Sequence, residues 1–137
     1  NKIKFNLAIS LNATTDIDRN KLMPINKKWP IRKLIATSKQ YNKIHKSGLT
    51  FEYVLIKSVN DSMDDAMRLA KLFLNTGCKI NIIPLNEIGG EYQRPDEKQI
   101  EKFINKLNEL RKGFTLLVRW SKGTDIDAGC GQLATNK

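Results

Sequence analysis

Four short apolar runs alternate with three amphipathic stretches along this chain, and few folds accommodate that order. The runs predicted as strands cover residues 5–10, 50–56, 79–84 and 115–119. The clearest stretch between them carries one apolar stripe at helical spacing: Ile100, Phe103, Ile104, Leu107 and Leu110. Strand–helix alternation is typical of βαβ units and predicts a parallel sheet with flanking helices. The spacing does not distinguish a barrel-like sheet from a doubly wound one.

Start and stop signals place the three helices. Pro30 suits the first turn of a helix that runs to about residue 44 before Gly48. Candidate N-caps at residues 60–62 precede a helix over 63–73, and Gly77 follows it. Asp96 and the glutamate after it open the last helix, which ends before residue 113. Residues 22–26 are predicted to form an extended connection.

Polar, non-acidic residues follow three of the predicted strands. They are Ser10-Leu11-Asn12, Lys57-Ser58 and Leu85-Asn86. Ligands of parallel α/β sheets gather at the carboxyl ends of the strands. Because these ends carry no carboxylate, they suit binding a small polar ligand better than hydrolysis.

The composition restricts the function classes. Lysine and arginine outnumber the acids by 24 to 14, which gives a net charge of +10. Such a charge fits a polyanion such as RNA, but a solvated lysine-rich surface explains it as well. Two cysteines and one histidine do not make a tetrahedral zinc site without several carboxylate ligands, and they do not supply the thiolate set of an iron–sulfur cluster, so no metal site is predicted in this chain. No signal peptide or membrane-length apolar run is visible, so we expect a cytoplasmic protein. The chain begins without methionine, which suggests a fragment.

A cysteine near the end of the chain lies between two glycines, Gly129 and Gly131. Glycines lack a Cβ and let a large partner approach Cys130 closely. Asp125 and Asp127, which precede this loop, are interpreted as turn-forming residues. Cys78 directly precedes an apolar strand and is predicted to be buried and inert, and His45 is expected on a solvated surface. The sequence contains no P-loop, dinucleotide fingerprint or nucleophile elbow.

Several blocks in order along the chain resemble one family. The chain is similar to radical S-adenosylmethionine (SAM) methyltransferases that methylate carbon 2 of an adenosine in 23S rRNA and in tRNA. The matching blocks are Leu7–Leu11, Leu22–Lys28, Phe51–Leu55, Val59–Ser62, Cys78–Asn81, Arg94-Pro95 and Asp125–Leu133. Together they cover nearly the whole sequence.

The resemblance implies a fold and a set of site residues. Residues 1–137 would form the C-terminal part of the radical SAM core, an incomplete (βα) barrel whose parallel strands have flanking helices. A short loop that contains Cys130 would follow at about residues 120–137, and the N-terminal part of the core would be missing. Cys130 would be the catalytic residue that carries the methyl group as S-methylcysteine. Ser10, Leu11, Asn12 and Asn86 would contact SAM, although the family usually has histidine where this chain has Asn12.

The resemblance also implies cofactors and partners. One SAM would methylate Cys130, and a second SAM, cleaved reductively by a 4Fe–4S cluster, would start transfer of that methyl group to the base. A second cysteine would then release the product. The cluster and that second cysteine would belong to the missing part, so this chain alone is expected to be inactive. The expected partners are 23S rRNA, tRNA and an electron donor such as flavodoxin or ferredoxin, and a monomer is expected.

Three other interpretations stay open. A related resistance enzyme methylates carbon 8 of the same adenosine and shares the Cys130 block. A basic, non-catalytic module that only binds RNA would explain the charge but gives Cys130 no task. A truncated gene product without function is the third. As a barrel fragment the chain would expose an unpaired sheet edge, and we expect poor solubility of the isolated chain.

Overall fold

The computed structural model describes residues 7–45, 49–86, 90–121 and 124–127, and these residues contain a five-stranded sheet. The strands lie side by side in chain order: β1 (Leu7–Ser10), β2 (Leu49–Leu55), β3 (Lys79–Pro84), β4 (Thr115–Ser121) and β5 (Thr124–Asp127). The first four are parallel, and β5 returns antiparallel to β4. The carboxyl ends of β1, β2 and β3 therefore lie along one edge of the sheet.

Four α-helices and one 3₁₀ helix connect the strands in the described part of the chain. Their bounds are α1 (Asp16–Leu22), the 3₁₀ helix (Pro24–Lys27), α2 (Ile31–His45), α3 (Met63–Leu72) and α4 (Glu97–Leu110). Local capping fixes three of the starts, because Thr15, Ser62 and Asp96 each accept a hydrogen bond from a backbone N–H of the first turn. At α3 the side chain of Asp65 also accepts a bond from the backbone of Ser62, which completes a capping box.

The core lies between the helices and one face of the sheet. Side chains alternate between the two faces of a strand, so Phe51, Tyr53 and Leu55 of β2 point to the same side, and all three are fully buried. The ring of Phe51 packs edge-on against Phe73, with the centroids 4.8 Å apart, and Tyr53 stacks on Phe103 of α4 at 5.7 Å. These aromatic pairs fix the helices on this face of the sheet.

The other face of the sheet is more polar. Ser10, Glu52, Asn81 and Leu117 occupy one register row across β1 to β4. Most of the side chains on this face are only half buried. A parallel sheet is normally covered on both faces, so this face is available to a ligand or to further protein.

The predicted parallel sheet with flanking helices is confirmed, and three local predictions are wrong. Residues 22–26 do not form an extended connection: Leu22 ends α1, and the 3₁₀ helix begins at Pro24. Asp125 and Asp127 are not turn residues, because the backbone of β5 pairs Asp125 with Arg119 and Asp127 with Leu117. The second strand lies one residue earlier than predicted. Among the described residues, no helix has the length and apolar character needed to cross a membrane.

Candidate functional site

The predicted SAM-contacting residues lie at the carboxyl edge of the sheet. Ser10 is the last residue of β1 and is exposed, and Asn86 is exposed two residues beyond the end of β3. Leu11 is fully buried in the core. Ser10 lies in the same register row as Asn81, two strand spacings or roughly 10 Å away across the sheet, and Asn86 lies five residues beyond Asn81 in the direction of the carboxyl edge. Cys130 lies outside the described residues.

Asn12 adopts a left-handed backbone conformation and uses its side chain to join β1 to β2. Its φ is 58°, a value that asparagine tolerates better than most residues. Its Oδ1 accepts a hydrogen bond of 2.8 Å from the backbone N–H of Val54, and its Nδ2 lies 3.8 Å from the sulfur of Met23. Since the side chain is engaged in these contacts, the exposed polar groups of the segment are those of Ser10.

Asn60 ties the ends of these two strands together. This asparagine is fully buried, and its Nδ2 donates to the backbone oxygens of Asn12 at 2.9 Å and of Val54 at 2.7 Å. Its Oδ1 accepts a bond of 2.7 Å from the N–H of Ile56. One side chain thus satisfies three backbone groups that the sheet leaves unpaired where the strands end.

A buried arginine holds the backbone of the Ser10–Leu11 segment. Arg19 of α1 is 3% exposed. Its Nε donates to the oxygen of Leu11 at 2.9 Å, and its Nη2 donates to the oxygen of Ser10 at 2.8 Å. Its Nη1 donates to Oδ1 of Asn26 at 2.8 Å. Burial lowers the pKa of Arg19, and the nearby carboxylate of Asp16 opposes that shift. A guanidinium stays charged after such a shift and keeps all its donors.

Asp16 extends this network to the start of α2. Its Oδ1 accepts one bond of 2.9 Å from the backbone N–H of Ile31 and another of 2.9 Å from Nδ2 of Asn26. These two donors, the Ile31 bond first, hold the pKa of Asp16 below its ordinary value. The network of Arg19, Asp16 and Asn26 therefore joins the end of β1, the 3₁₀ helix and α2.

The end of β2 borders two open cavities. Ser58 has a φ of 61°, and its N–H donates to Oδ1 of Asp61 at 3.0 Å. Burial raises the pKa of Asp61, and the Ser58 bond partly offsets that rise. Each cavity has a volume of about 340 Å³. The first is lined by Lys57, Ser58, Asp61, Ser62, Pro95, Asp96 and Gln99, and the second by Lys57, Ser58, Val59, Glu91, Tyr92 and Gln93. Their mixed polar lining is compatible with a polar ligand and identifies none.

Asn81 is a polar residue in the middle of an apolar strand. It is 5% exposed, and its Oδ1 has no hydrogen-bond partner among the described residues. Its register neighbour Glu52 projects from the same face of the sheet. An unpaired buried acceptor costs free energy, so this position requires a donor that the described residues do not supply.

The described residues contain no set of ligands for a metal cluster. No group of three histidine, cysteine or acidic side chains within the described ranges could hold a metal ion. The one described cysteine, Cys78, is fully buried, and its Sγ accepts a bond of 3.1 Å from Nδ2 of Asn42. Burial raises the pKa of its thiol. The prediction that Cys78 is buried is confirmed.

The positions of Ser10, Asn12 and Asn86 after strands could be predicted from the sequence, whereas the residues that hold them could not. Arg19 and Asn60 hold the segment by donating hydrogen bonds to backbone carbonyls, and no sequence motif predicts such contacts. Asn81 could have been recognised from the sequence as a special position, because its side-chain amide interrupts a run of apolar residues in β3.

No family model matches this chain, but several known proteins are similar to it. It is 48% identical over 133 residues to a dual-specificity RNA methyltransferase RlmN from Syntrophotalea carbinolica, an alignment that covers 96% of this chain and 35% of the relative. A protein of the same name from Geotalea uraniireducens is 46% identical over 96% of this chain and 38% of its own length. The chain thus spans little more than a third of these relatives.

A solved structure gives the same result. A radical SAM methyltransferase from Sphaerobacter thermophilus superimposes with a TM-score of 0.79 at 35% identity, over 88% of this chain and 36% of that protein. Sequence and fold therefore agree, and the predicted resemblance to radical SAM methyltransferases of RNA is confirmed for the stretch that is matched.

Proposed function

Because this chain is homologous to radical SAM dual-specificity RNA methyltransferases over about a third of their length, we propose that its complete protein methylates carbon 2 of an adenosine in RNA. The proposed substrates are 23S rRNA and tRNA. The observation that carries the proposal is the identity of 46–48% to proteins of that name together with exposed polar residues at the carboxyl edge of the matching fold. We further expect a monomer located in the cytoplasm.

Ser10 and Asn12 are proposed to contact SAM from one side and Asn86 from the other, while Leu11, which the resemblance also implies as a contact, is fully buried and would hold the segment in the core. The exposure of Ser10 and Asn86 beside the ends of β1 and β3 supports these roles. The left-handed turn at Asn12 and the bonds from Arg19 and Asn60 would hold the first segment in a fixed shape. A site held in this way before the ligand arrives loses less entropy on binding.

Cys130 is proposed to accept a methyl group. Its thiolate would attack the methyl carbon of SAM, so that a carbon–sulfur bond forms on Cys130 as the bond to the sulfonium breaks and S-adenosylhomocysteine leaves. The thiol proton goes to solvent. The flanking Gly129 and Gly131 support this role because glycines, which lack a Cβ, would let both SAM and the base approach the sulfur.

The resemblance implies a 4Fe–4S cluster and an electron donor such as flavodoxin or ferredoxin. Within the described ranges no residues fit a cluster, and the whole sequence has only two cysteines. We therefore propose that this chain supplies SAM contacts, the methyl-accepting cysteine and part of the RNA surface. The cluster ligands and the resolving cysteine would lie elsewhere in the complete protein.

The test is methyl transfer by the complete protein. The purified protein would be incubated with SAM, a reductant and unmodified 23S rRNA or tRNA, and the RNA would be digested and its nucleosides measured by mass spectrometry. We expect 2-methyladenosine from the wild type and none from Cys130→Ala, with Cys78→Ala as the matched control that retains activity. Appearance of 8-methyladenosine would select the carbon 8 alternative. RNA binding without any methylated nucleoside would select the non-catalytic module.

A further inference from the structure

A long part of this chain carries positive charge without any compensating acid. Residues 19–51 contain nine lysines and arginines and no aspartate or glutamate. All 14 acids of the chain lie outside this segment, together with the other 15 of its 24 lysines and arginines. The net charge of +10 is therefore concentrated on the segment that leads from α1 through α2.

Five exposed side chains of this segment cluster around the start of α2. We call them the basic indole surface, and they are Lys27, Lys28, Trp29, Arg32 and Lys33. Trp29 is 46% exposed, which is unusual for the side chain with the largest apolar surface. The Nζ of Lys33 lies 4.8 Å from the centre of the indole ring, a cation–π contact that orients the ring.

This surface lies at the same edge of the sheet as the candidate SAM contacts. The chain leaves the carboxyl end of β1 at Ser10, and α2 starts from that edge on its way back to the start of β2. The 2.9 Å bond from the Ile31 N–H to Asp16 fixes the first residue of α2. The bond from Arg19 to Asn26 then connects the 3₁₀ helix to the backbone of Ser10. The basic indole surface and the Ser10 segment are therefore parts of one hydrogen-bonded unit.

We propose that the basic indole surface binds a single-stranded stretch of the substrate RNA beside the reacting adenosine. Lysine and arginine would neutralise phosphates, and the indole would stack on an unpaired base. Unpaired bases of RNA are bound in this way, by aromatic faces and guanidinium planes within a positively charged groove. The proposal rests on the proposed function in that it takes RNA as the substrate, and it assigns the contact to named residues of this chain.

Duplex nucleic acid fits this surface less well. A duplex offers phosphates but no free base face, so it would use the lysines and leave the indole without a partner. If another segment of the complete protein covers Trp29 instead of RNA, Trp29→Ala will lower the melting temperature and leave the affinity for RNA unchanged.

The test compares matched variants of the complete protein for RNA binding. The probe is a fluorescein-labelled single-stranded RNA of about 12 nucleotides, long enough for one such groove, and anisotropy gives its Kd at several salt concentrations. The variants are Trp29→Ala, Trp29→Phe and the pair Lys27→Ala with Lys28→Ala. The control pair, Lys39→Ala with Lys43→Ala, removes the same charge from exposed positions of α2. Lys43 lies about 16 Å from Arg32 along the helix.

We expect Trp29→Ala to raise the Kd about tenfold, the cost of one lost base stack. Trp29→Phe should recover most of that loss, because phenylalanine still stacks. The double variant Lys27→Ala with Lys28→Ala should lower the slope of log Kd against log salt concentration by about 1.4, the value expected for the loss of two phosphate contacts on a single strand. The control pair should change the Kd less than threefold.

Two results would overturn the proposal. One is an equal loss of affinity in the control pair and in the Lys27→Ala, Lys28→Ala pair, which would mean that RNA is attracted by the overall positive charge of α2 rather than bound at this surface. The other is wild-type affinity in Trp29→Ala, with or without a lower melting temperature. A lower melting temperature would show that protein rather than RNA covers the indole. Methyl transfer to RNA is measured in parallel. If the variants change the Kd as expected but the wild type methylates no RNA, the proposed function alone is refuted. If Trp29→Ala methylates RNA as well as the wild type does, this inference alone is refuted.

Discussion

Replacing Arg19 with methionine tests whether a buried guanidinium holds the candidate SAM segment. Methionine has a similar length and is apolar, so the change removes the donors and the charge while filling much of the same space. Three bonds of 2.8–2.9 Å disappear, to the oxygens of Ser10 and Leu11 and to Asn26. Hydrogen bonds from a charged donor contribute about 1.5–3 kcal/mol each.

The expected loss of stability is smaller than the sum of those bonds. Removing the guanidinium also removes the cost of burying it, and the exposed position of Ser10 lets its carbonyl oxygen reach water. The oxygen of Leu11 belongs to a fully buried residue and would be left without its donor. We therefore expect Arg19→Met to lower the free energy of unfolding by about 3 kcal/mol, near the lower end for breaking a buried charged network. Arg19→Lys should lose about half as much, because an ammonium can reach one of the acceptors.

The measurement is urea unfolding of the complete protein followed by circular dichroism, with Arg32→Met as the control. Arg32 is exposed on α2, and its replacement should change the free energy of unfolding by less than about 0.5 kcal/mol. If Arg19→Met and Arg32→Met unfold at the same urea concentration, the buried network does not stabilise this segment. In that case α1 does not hold the candidate SAM segment in place.

Three further predictions follow from local geometry. A methyl group on Gly113, whose φ is 75°, would collide with the backbone of Asn75, whereas one on Gly77, whose φ is 73°, would come no closer than 3.9 Å to a side chain. In thermal unfolding, Gly113→Ala should therefore lower the free energy of unfolding by at least about 2 kcal/mol and Gly77→Ala by about 1 kcal/mol. Equal losses in the two variants would contradict this prediction. The lowered pKa of Asp16 means that its stabilising effect is complete above its unfolded pKa of 3.8 and is lost as the pH falls through the folded value; acid unfolding of Asp16→Asn should thus depend less on pH below about pH 4, and an unchanged profile would refute the assignment. Burial raises the pKa of the Cys78 thiol, so iodoacetamide at neutral pH should alkylate it in urea but not in the folded protein, as read by mass spectrometry; rapid labelling of the folded protein would show that this site opens.

The strands and the long helices could be predicted because their signals are local. The stripe from Ile100 to Leu110 and the cap at Asp96 require no knowledge of the rest of the chain, and α4 begins and ends close to the prediction. The polar ends of the strands could be read for the same reason, since a parallel sheet brings them to one edge wherever the strands stop.

The parts that the sequence did not predict are those stabilised by distant partners. Helix α1 has the sequence DIDRNKL, which lacks an apolar stripe, and its buried residue is an arginine. Its packing depends on carbonyl groups eight and nine residues earlier in the chain. Strand β5 is similar, because Asp125 and Asp127 have poor strand propensity and are held by pairing with β4.

A buried arginine suits this position for a reason that lies in the geometry of parallel strands. At the carboxyl end of β1 the backbone turns into the left-handed residue Asn12, and the carbonyls of Ser10 and Leu11 find their donors outside the sheet. Water could satisfy them, but it would leave the segment free to adopt several conformations. The guanidinium of Arg19 offers donors in a fixed planar arrangement and meets two successive carbonyls from two different nitrogens, whereas the donors of a lysine all lie on one freely rotating nitrogen. The same group reaches Asn26 and so sets the position of the basic indole surface. The buried guanidinium therefore fixes the two proposed binding segments relative to each other, and we expect replacement of Arg19 to disturb both, although Arg19 is not itself proposed to contact SAM or RNA.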